Sequence, residues 1–284
     1  MELLQNPDIK ELVELAIRED IGNGDHSSLA CIPSDKQGHA YCVAKEDGVI
    51  AGIDLAAYIF KRIDSDIKYE PHKSDGDKIT NGDRIFDVYG ADISILTAER
   101  LVLNFMQRLS GIATQSKMIS ELVKDYHTTV LDTRKTTPGM RLLEKWAVQL
   151  GGCSNHRIGL YDMIMIKDNH IDFAGGIAQA IEKTHNYLKF KGLDLQVEIE
   201  TRTLDEVKQV LEIGGVNRIM LDNFKPDLLK KAVKLINGKF ETEASGGITI
   251  DTIKDYAASG VDYISVGALT HSSKSLDLSL RVSS

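Results

Sequence analysis

The chain has 284 residues, 42% apolar and 27% charged, which describes a globular protein large enough for two modest domains. A formal net charge of −8 argues against a nucleic-acid backbone as partner, and no apolar run approaches the roughly 18 residues of a membrane span. The opening MELLQNPDIKELVE carries neither a basic region nor an apolar signal core, and the odd, scattered set Cys31, Cys42 and Cys153 suits free thiols in a reducing cytoplasm.

Asn6-Pro7 predicts a helix start, with Asn as N-cap and Pro at the first helical position, and Ile9, Leu12, Val13, Ala16 and Ile17 recur along one face. From about 38 to 96 the texture changes to short alternating runs such as HAYCVAK and RIFDVYG. Turn signals at Asp47-Gly48, Asp75-Gly76 and Asn81-Gly82 predict β-hairpins there. Asp64, Asp66, Glu70, Asp75, Asp77, Asp83 and Asp87 read as a solvated acidic surface without function. A long helix is expected over 97–124. Beyond it the rhythm becomes strand, loop, helix, with strands at 129–132, 163–167, 195–200, 218–222, 241–245 and 263–266. Intervening helices include 204–213, after a Thr203…Glu206 capping box, and 250–258, with Thr249 as cap and Gly260 past its end. Six or seven such units are too few for a closed eight-stranded barrel, so an open, incomplete α/β barrel of parallel strands is expected.

Chemistry in such a barrel gathers at the C-terminal ends of its strands. Those ends read Asp132-Thr133-Arg134-Lys135, Lys167, Glu200, Asp222-Asn223, Ser245-Gly246-Gly247 and Gly267-Ala268, with His156-Arg157 between the first two. Between Asp132 and His170 there are six Lys or Arg and four Asp or Glu, a net +2 that leaves −10 for the remainder. A locally basic site in an acidic body favours small anions over a polyanion. Any one of these residues is more simply a polar strand terminus; the set together points to function. Ser245-Gly246-Gly247 and Gly267-Ala268, the latter leading toward His271, suit a phosphate, because glycine lets backbone N–H groups come close to an anion. Glu200 and Asp222 suit Mg²⁺, sugar hydroxyls or a developing cation, or else simply neutralise a neighbouring Lys or Arg. A Cys153 nucleophile lacks an orienting acid, and Asp168 with His170 lacks a third metal ligand at a persuasive spacing. A Schiff base at Lys135 or Lys167 is disfavoured by the other charges around both.

LTAERLVLNFMQRLSGIAT, DTRKTTPGMR, GGCSNHR, IKDNH, VEIET, LDNF, ASGGI and VDYISVGALTHS, in that order, resemble the quinolinate phosphoribosyltransferases, as does the earlier EDIGNGDHSS. The likeness spans essentially the whole chain. Small departures at Cys153, Met140 and Ile166 remove no charged group. The resemblance implies an α/β fold with an N-terminal α/β sandwich domain over 1–113 with 270–284 and an open barrel over 114–269. It implies a homodimer in which Arg100 of one chain reaches the other's site, and transfer from 5-phosphoribosyl-1-pyrophosphate to quinolinate with Mg²⁺ and loss of CO₂. Arg100, Thr133, Arg134, His156, Arg157 and Lys167 would then hold quinolinate. Lys135, Glu200 and Asp222 would carry the catalysis, with Mg²⁺ at the two carboxylates. Ser245, Gly246, Gly247, Gly267, Ala268 and His271 would join those three in holding the phosphoribosyl substrate. The rival readings are a phosphoribosyltransferase for another ring acid and a non-catalytic binder of phosphorylated metabolites.

Overall fold

The computed structural model describes residues 3–283, and the chain divides into two compact units. One comprises Met1–Lys117, Thr136–Gly152 and Leu269–Ser284; the other comprises Met118–Lys135 and Cys153–Ala268. In chain order the first elements are α1 (Pro7–Ile21), α2 (His26–Cys31), β1 (Gln37–Ala44), β2 (Gly48–Val49) and α3 (Ile53–Ile63). Then come β3 (Lys68–Pro71), β4 (Lys78–Ile79), β5 (Arg84–Ala91), α4 (Asp92–Val123), β6 (Thr129–Leu131), α5 (Arg141–Leu150) and β7 (Ile164–Ile166). The alternation continues with α6 (Asp168–Ala174), α7 (Ile177–Lys191), β8 (Val197–Thr201), α8 (Leu204–Ile213), β9 (Arg218–Asp222) and α9 (Pro226–Ile236). It ends with β10 (Glu241–Ser245), α10 (Ile253–Ala257), β11 (Tyr263–Ser265), α11 (Ala268–His271) and β12 (Leu278–Val282).

In the first unit the strands order as β12-β1-β5-β3 in an antiparallel sheet. Helix α3 buries Ile53, Leu55, Ala56, Ile59 and Phe60, and the Phe60 ring meets Phe86 of β5 edge-on at 5.9 Å. Sheet and helix thus form a two-layer α/β unit. Helix α1 starts as the sequence predicts, with the Asp8 amide donating to Asn6 Oδ1 at 2.9 Å.

The hairpin expectation does not hold. Gly76 and Gly82 do turn the chain, at φ +91° and +95°, but β4 pairs with β2 in a separate two-stranded sheet, not with β3 or β5. Those turns therefore pass the chain between sheets. The acidic surface is also partly structural. Asp75 Oδ1 accepts the Gly52 and Ile53 amides at 2.6 and 2.9 Å, closing the N-terminus of α3, and Asp87 is 3% exposed.

The second unit holds a six-stranded parallel sheet in the order β6-β11-β10-β9-β8-β7. First and last strands pair, as barrel closure requires, while β6 and β7, each paired on one side, are the two edges of the sheet among the described residues. Beside β6 only a bridge from Leu131 to Ser154 is added, and α5, the helix between β6 and β7 in sequence, belongs to the first unit. The barrel is therefore open at this seam. Helix α8 begins at Thr203, whose Oγ1 accepts the Glu206 amide at 3.2 Å; the Glu206 carboxylate reaches back to the Arg202 amide at 2.6 Å.

Candidate active site

The C-terminal ends of the strands carry the expected groups. After β6, Thr133 Oγ1 accepts the Lys135 amide at 3.0 Å and shapes the turn that presents half-buried Arg134 and exposed Lys135. After β7, the Lys167 amide donates to His170 Nδ1 at 2.9 Å, so His170 caps the start of α6. Lys167 Nζ reaches Glu200 Oε2 at 3.2 Å across to β8. On β9, Asp222 accepts the Asn223 side-chain amide at 2.6 Å, and Asp222 lies in register with Ser245 of β10.

Arg157 stands between β6 and β7 with its Nη1 donating to the Met163 carbonyl at 3.1 Å. Burial lowers its pKa, and the nearby charge of Arg134 lowers it further. A guanidinium whose charge is disfavoured by burial and by a second guanidinium gains from an anion beside it.

Beneath the rim lies a cluster that a reading of strand ends does not find. Side chains alternate along a strand, so Glu198, Arg218 and Glu243 share one sheet face with Glu200, Asp222 and Ser245, one or two steps lower. Glu198 and Glu243 are fully buried. His156 Nε2 lies 3.0 Å from Glu198 and 3.4 Å from Glu243, and Arg218 Nη1 donates to Glu243 at 2.8 Å. These contacts span β6's neighbourhood, β8, β9 and β10, so the sheet curls around them. The other imidazole nitrogen, Nδ1, accepts the Arg157 amide at 2.7 Å, and the His156 amide donates to buried Asp132 at 2.8 Å. Burial opposes a charged ring, but the two carboxylates favour it and leave its pKa raised to about 9. The Arg157 amide pulls the other way, since it needs an unprotonated Nδ1. Burial together with Glu243's charge pushes Glu198 up to about 7. A signal for the cluster does exist in the sequence: Glu198 interrupts the apolar VEI, and Glu243 sits mid-strand in ETEAS, where parallel strands are usually apolar.

Among the described residues, His156, Glu198 and Glu243 form the one grouping with donor atoms close enough to hold a metal ion, within 4.8 Å of one another. Arg218 already supplies a positive partner there. Glu200 and Asp222 offer hard carboxylate oxygens at adjacent strand ends. That suits Mg²⁺, which is usually held by one or two carboxylates with substrate phosphates completing its shell.

The glycine loops partly match expectation. A Cβ on Gly246, at φ +100°, would lie 2.3 Å from Asn223 Oδ1, so this glycine is required for the loops after β9 and β10 to pack. The helix expected over 250–258 is shorter: α10 begins at Ile253, the Thr249 amide donates to Thr252 Oγ1 at 3.0 Å, and Thr249 is not the cap. A helix dipole thus starts farther from Gly247 than the sequence suggests, and the loop amides themselves must meet a phosphate. Gly267 precedes α11, which begins at Ala268. Arg100, exposed on α4, and exposed His271 both belong to the first unit.

An open α/β barrel with a cationic rim, two carboxylates and a glycine loop is a site for a small phosphorylated substrate and a second, anionic one. The chain matches the C-terminal domain of quinolinate phosphoribosyl transferase over residues 112–281 and the N-terminal domain over 25–110. It is 52% identical to the chloroplastic nicotinate-nucleotide pyrophosphorylase [carboxylating] of Oryza sativa, covering 97% of this chain and 78% of that one. The probable nicotinate-nucleotide pyrophosphorylase [carboxylating] of Bacillus subtilis is 42% identical, over 96% and 93% of the two chains. Among solved structures, the nicotinate-nucleotide pyrophosphorylase of Francisella tularensis superposes with a TM-score of 0.91 at 41% identity, covering 97% of this chain and 96% of that one. The chain belongs to the quinolinate phosphoribosyltransferase family.

Proposed function

We infer that this chain transfers the phosphoribosyl group of 5-phosphoribosyl-1-pyrophosphate to quinolinate, giving nicotinate mononucleotide, CO₂ and pyrophosphate, the step that feeds a pyridine ring into NAD synthesis. The observation that carries this reading is the gathering of Arg134, Arg157 and Lys167 at and between the ends of β6 and β7, where burial and the charge of Arg134 disfavour the charge of Arg157. Three cations suit two carboxylates on one ring, and each arginine offers a bidentate fork. Thr133 shapes the same turn, and His156 supports Arg157 from below.

Lys135 faces the pyrophosphate and counters the charge that gathers on it as the C1–O bond breaks. Glu200 and Asp222 accept the ribose hydroxyls and stabilise positive charge developing at C1. Mg²⁺ bound at these carboxylates would neutralise the pyrophosphate. Ser245, Gly246, Gly247, Gly267, Ala268 and His271 receive the 5-phosphate. Attack by the ring nitrogen leaves it cationic; the electron pair freed when the adjacent carboxylate departs as CO₂ is stabilised by that charge until the ring carbon takes a proton from water. The protein's task in this second step is to orient the ring without clamping the departing group too tightly.

In this reading Arg100 acts in trans, completing the ring-acid site of a second copy of the chain in a homodimer. Arg100→Ala and Lys135→Ala homodimers should then be nearly inactive, while co-refolding them in equal amounts restores roughly a quarter of wild-type activity, from the intact site of each mixed dimer. No recovery despite demonstrated exchange places Arg100 in its own subunit's chemistry or outside it. The free thiols of Cys31, Cys42 and Cys153 support a reducing compartment such as the cytoplasm.

Incubation with phosphoribosyl pyrophosphate, Mg²⁺ and either quinolinate or nicotinate, following nucleotide and CO₂, tests the assignment. A monocarboxylate leaves one of these cations, among them half-buried Arg134 and Arg157, without its carboxylate once the ring covers it, so quinolinate should be strongly preferred. Comparable turnover of the two acids rejects quinolinate as the substrate.

A further inference from the structure

The cluster beneath the rim has no task in the chemistry above, and stability alone does not account for it. Two carboxylates and a guanidinium taken out of water cost more than apolar side chains of the same volume filling the same space. Each carboxylate also keeps one buried oxygen, Oε1, without a hydrogen-bond partner among the described residues. What the cluster does achieve is mechanical. Glu198 receives the Nε2 side of the His156 ring at 3.0 Å, with Glu243 at 3.4 Å, while the Nδ1 side of the same ring receives the Arg157 amide at 2.7 Å. A single rigid imidazole therefore ties the backbone of Arg157 to the middle of β8 and β10. Arg218, at 2.8 Å from Glu243, keeps that carboxylate in place.

The 156–157 segment needs such a tie. It lies at the open seam, where, among the described residues, β6 has only the Leu131–Ser154 bridge beside it and β7 has no strand on that side. Elsewhere around the sheet, ladder hydrogen bonds fix the height of each rim residue. At the seam no strand among the described residues does so, and the charge of Arg134 works against that of Arg157, whose Nη1 reaches the Met163 carbonyl at 3.1 Å.

We propose that Glu198 and Glu243, acting through His156, are positioning residues for the anionic ring substrate: they replace the missing strand at the open seam and set Arg157 relative to Arg134. The proposal rests on the reading that Arg134 and Arg157 receive the ring acid. It assigns His156 an indirect part, because both of its ring nitrogens are engaged inside the barrel.

The test compares two substitutions at one position. Glu198→Met keeps the volume and leaves Glu243 to pair with Arg218, but removes the closest acceptor of the imidazole; Glu198→Gln keeps an acceptor oxygen. Steady-state kinetics on the full-length enzyme should show the KM for quinolinate raised at least tenfold in Glu198→Met. The KM for phosphoribosyl pyrophosphate should stay within about twofold, and Glu198→Gln should recover most of the loss. An unchanged quinolinate KM in folded Glu198→Met, or an equal rise in both KM values, overturns the proposal and leaves the cluster a matter of stability. If Glu198→Met does not fold, His156→Gln and His156→Asn replace it. Gln reaches toward Glu198 and should retain quinolinate affinity, whereas the shorter Asn should lose it; equal behaviour of the two overturns the proposal. Arg157→Ala, run in parallel, separates the two levels. If it leaves the quinolinate KM unchanged, the placement of the ring acid fails. If it raises that KM and Glu198→Met does not, only the positioning role fails.

Discussion

Both units bury carboxylates among charged partners, but with opposite balances. In the first, one carboxylate, Asp87, is surrounded by His39, His72 and Arg84 on a sheet face where those partners are themselves 26%, 41% and 45% exposed. In the second, two carboxylates, Glu198 and Glu243, share one imidazole and one guanidinium, and Arg218 is only 11% exposed. Burial pushes every one of these acids upward. At Asp87 the hydrogen bonds from Arg84, His72 and His39 more than offset it and hold the carboxyl far below the usual range. At Glu198 burial prevails, reinforced by Glu243. Access to solvent also differs: water can replace a partner of Asp87, and nothing can replace Arg218.

The largest expected effect follows from that asymmetry. Arg218→Met strips Glu243 of its guanidinium and leaves His156 as the one positive partner of two buried carboxylates among the described residues; it should cost about 3–5 kcal/mol, the usual penalty for breaking a buried pair from one side. Arg84→Met leaves Asp87 with two histidines and water in reach of the vacated position, and should cost far less than Arg218→Met. Urea unfolding of both variants, with hydrogen exchange at β8–β10 and at β1–β5 to separate the units, measures the difference. Similar losses would show that the two clusters are not distinguished by burial.

The pH dependence contributed by Asp87 and by Glu198 should have opposite signs; Glu243, which burial pushes up but His156 and Arg218 hold below its ordinary value, follows Asp87 in sign. The folded pKa of Asp87 lies below its unfolded value of 3.8, so the unfolded chain takes up its proton first as the medium is acidified. Stability from Asp87 is therefore complete above about pH 4 and lost as pH falls below it. The folded pKa of Glu198, about 7, lies above its unfolded 4.5, so the unfolded chain sheds that proton first. Its contribution is complete below about pH 4.5 and lost as pH rises through 7. Asp87→Asn should flatten the acid limb read at β1–β5, and Glu198→Gln the limb between pH 5 and 7.5 read at β8–β10. A Glu198→Gln limb as steep as wild type would mean that Glu198 is ionised throughout.

The two units also differ in how far the sequence reveals them. In the barrel every strand expected from the alternation appears within one or two residues, because each is bounded by its own helix and turn. The rim residues follow from the strand ends alone. For the Glu198–His156–Glu243 cluster, glutamates inside parallel strands mark an unusual polar interior, but which side chain they meet depends on the curvature that brings His156 between β8 and β10. In the first unit, α3 went unseen among short alternating runs, although IDLAAYIF places Leu55, Ala56, Ile59 and Phe60 at helical spacing. The turn signals there were genuine turns. What they join depends on β2 pairing with β4, a contact of two residues each that no local pattern announces.

The smallest expected effects come from the glycine loop, where adjacent positions separate packing from ligand contact. A methyl group on Gly246 meets Asn223 at 2.3 Å and faces a left-handed backbone at φ +100°. Gly246→Ala should therefore shift the Asp222-Asn223 turn, lower stability, and weaken both the ribose and phosphate contacts. At Gly247, φ is +63° and a Cβ meets nothing within 4 Å. Gly247→Ala should cost only the left-handed strain, about 1–2 kcal/mol, with no change in the KM for quinolinate. If the Gly247 backbone approaches the 5-phosphate as proposed, the added methyl should still raise the KM for phosphoribosyl pyrophosphate severalfold. A Gly247→Ala enzyme with wild-type affinity for that substrate, beside an impaired Gly246→Ala enzyme, would move the phosphate contact away from this loop. Gly246 would then owe its place to Asn223 alone.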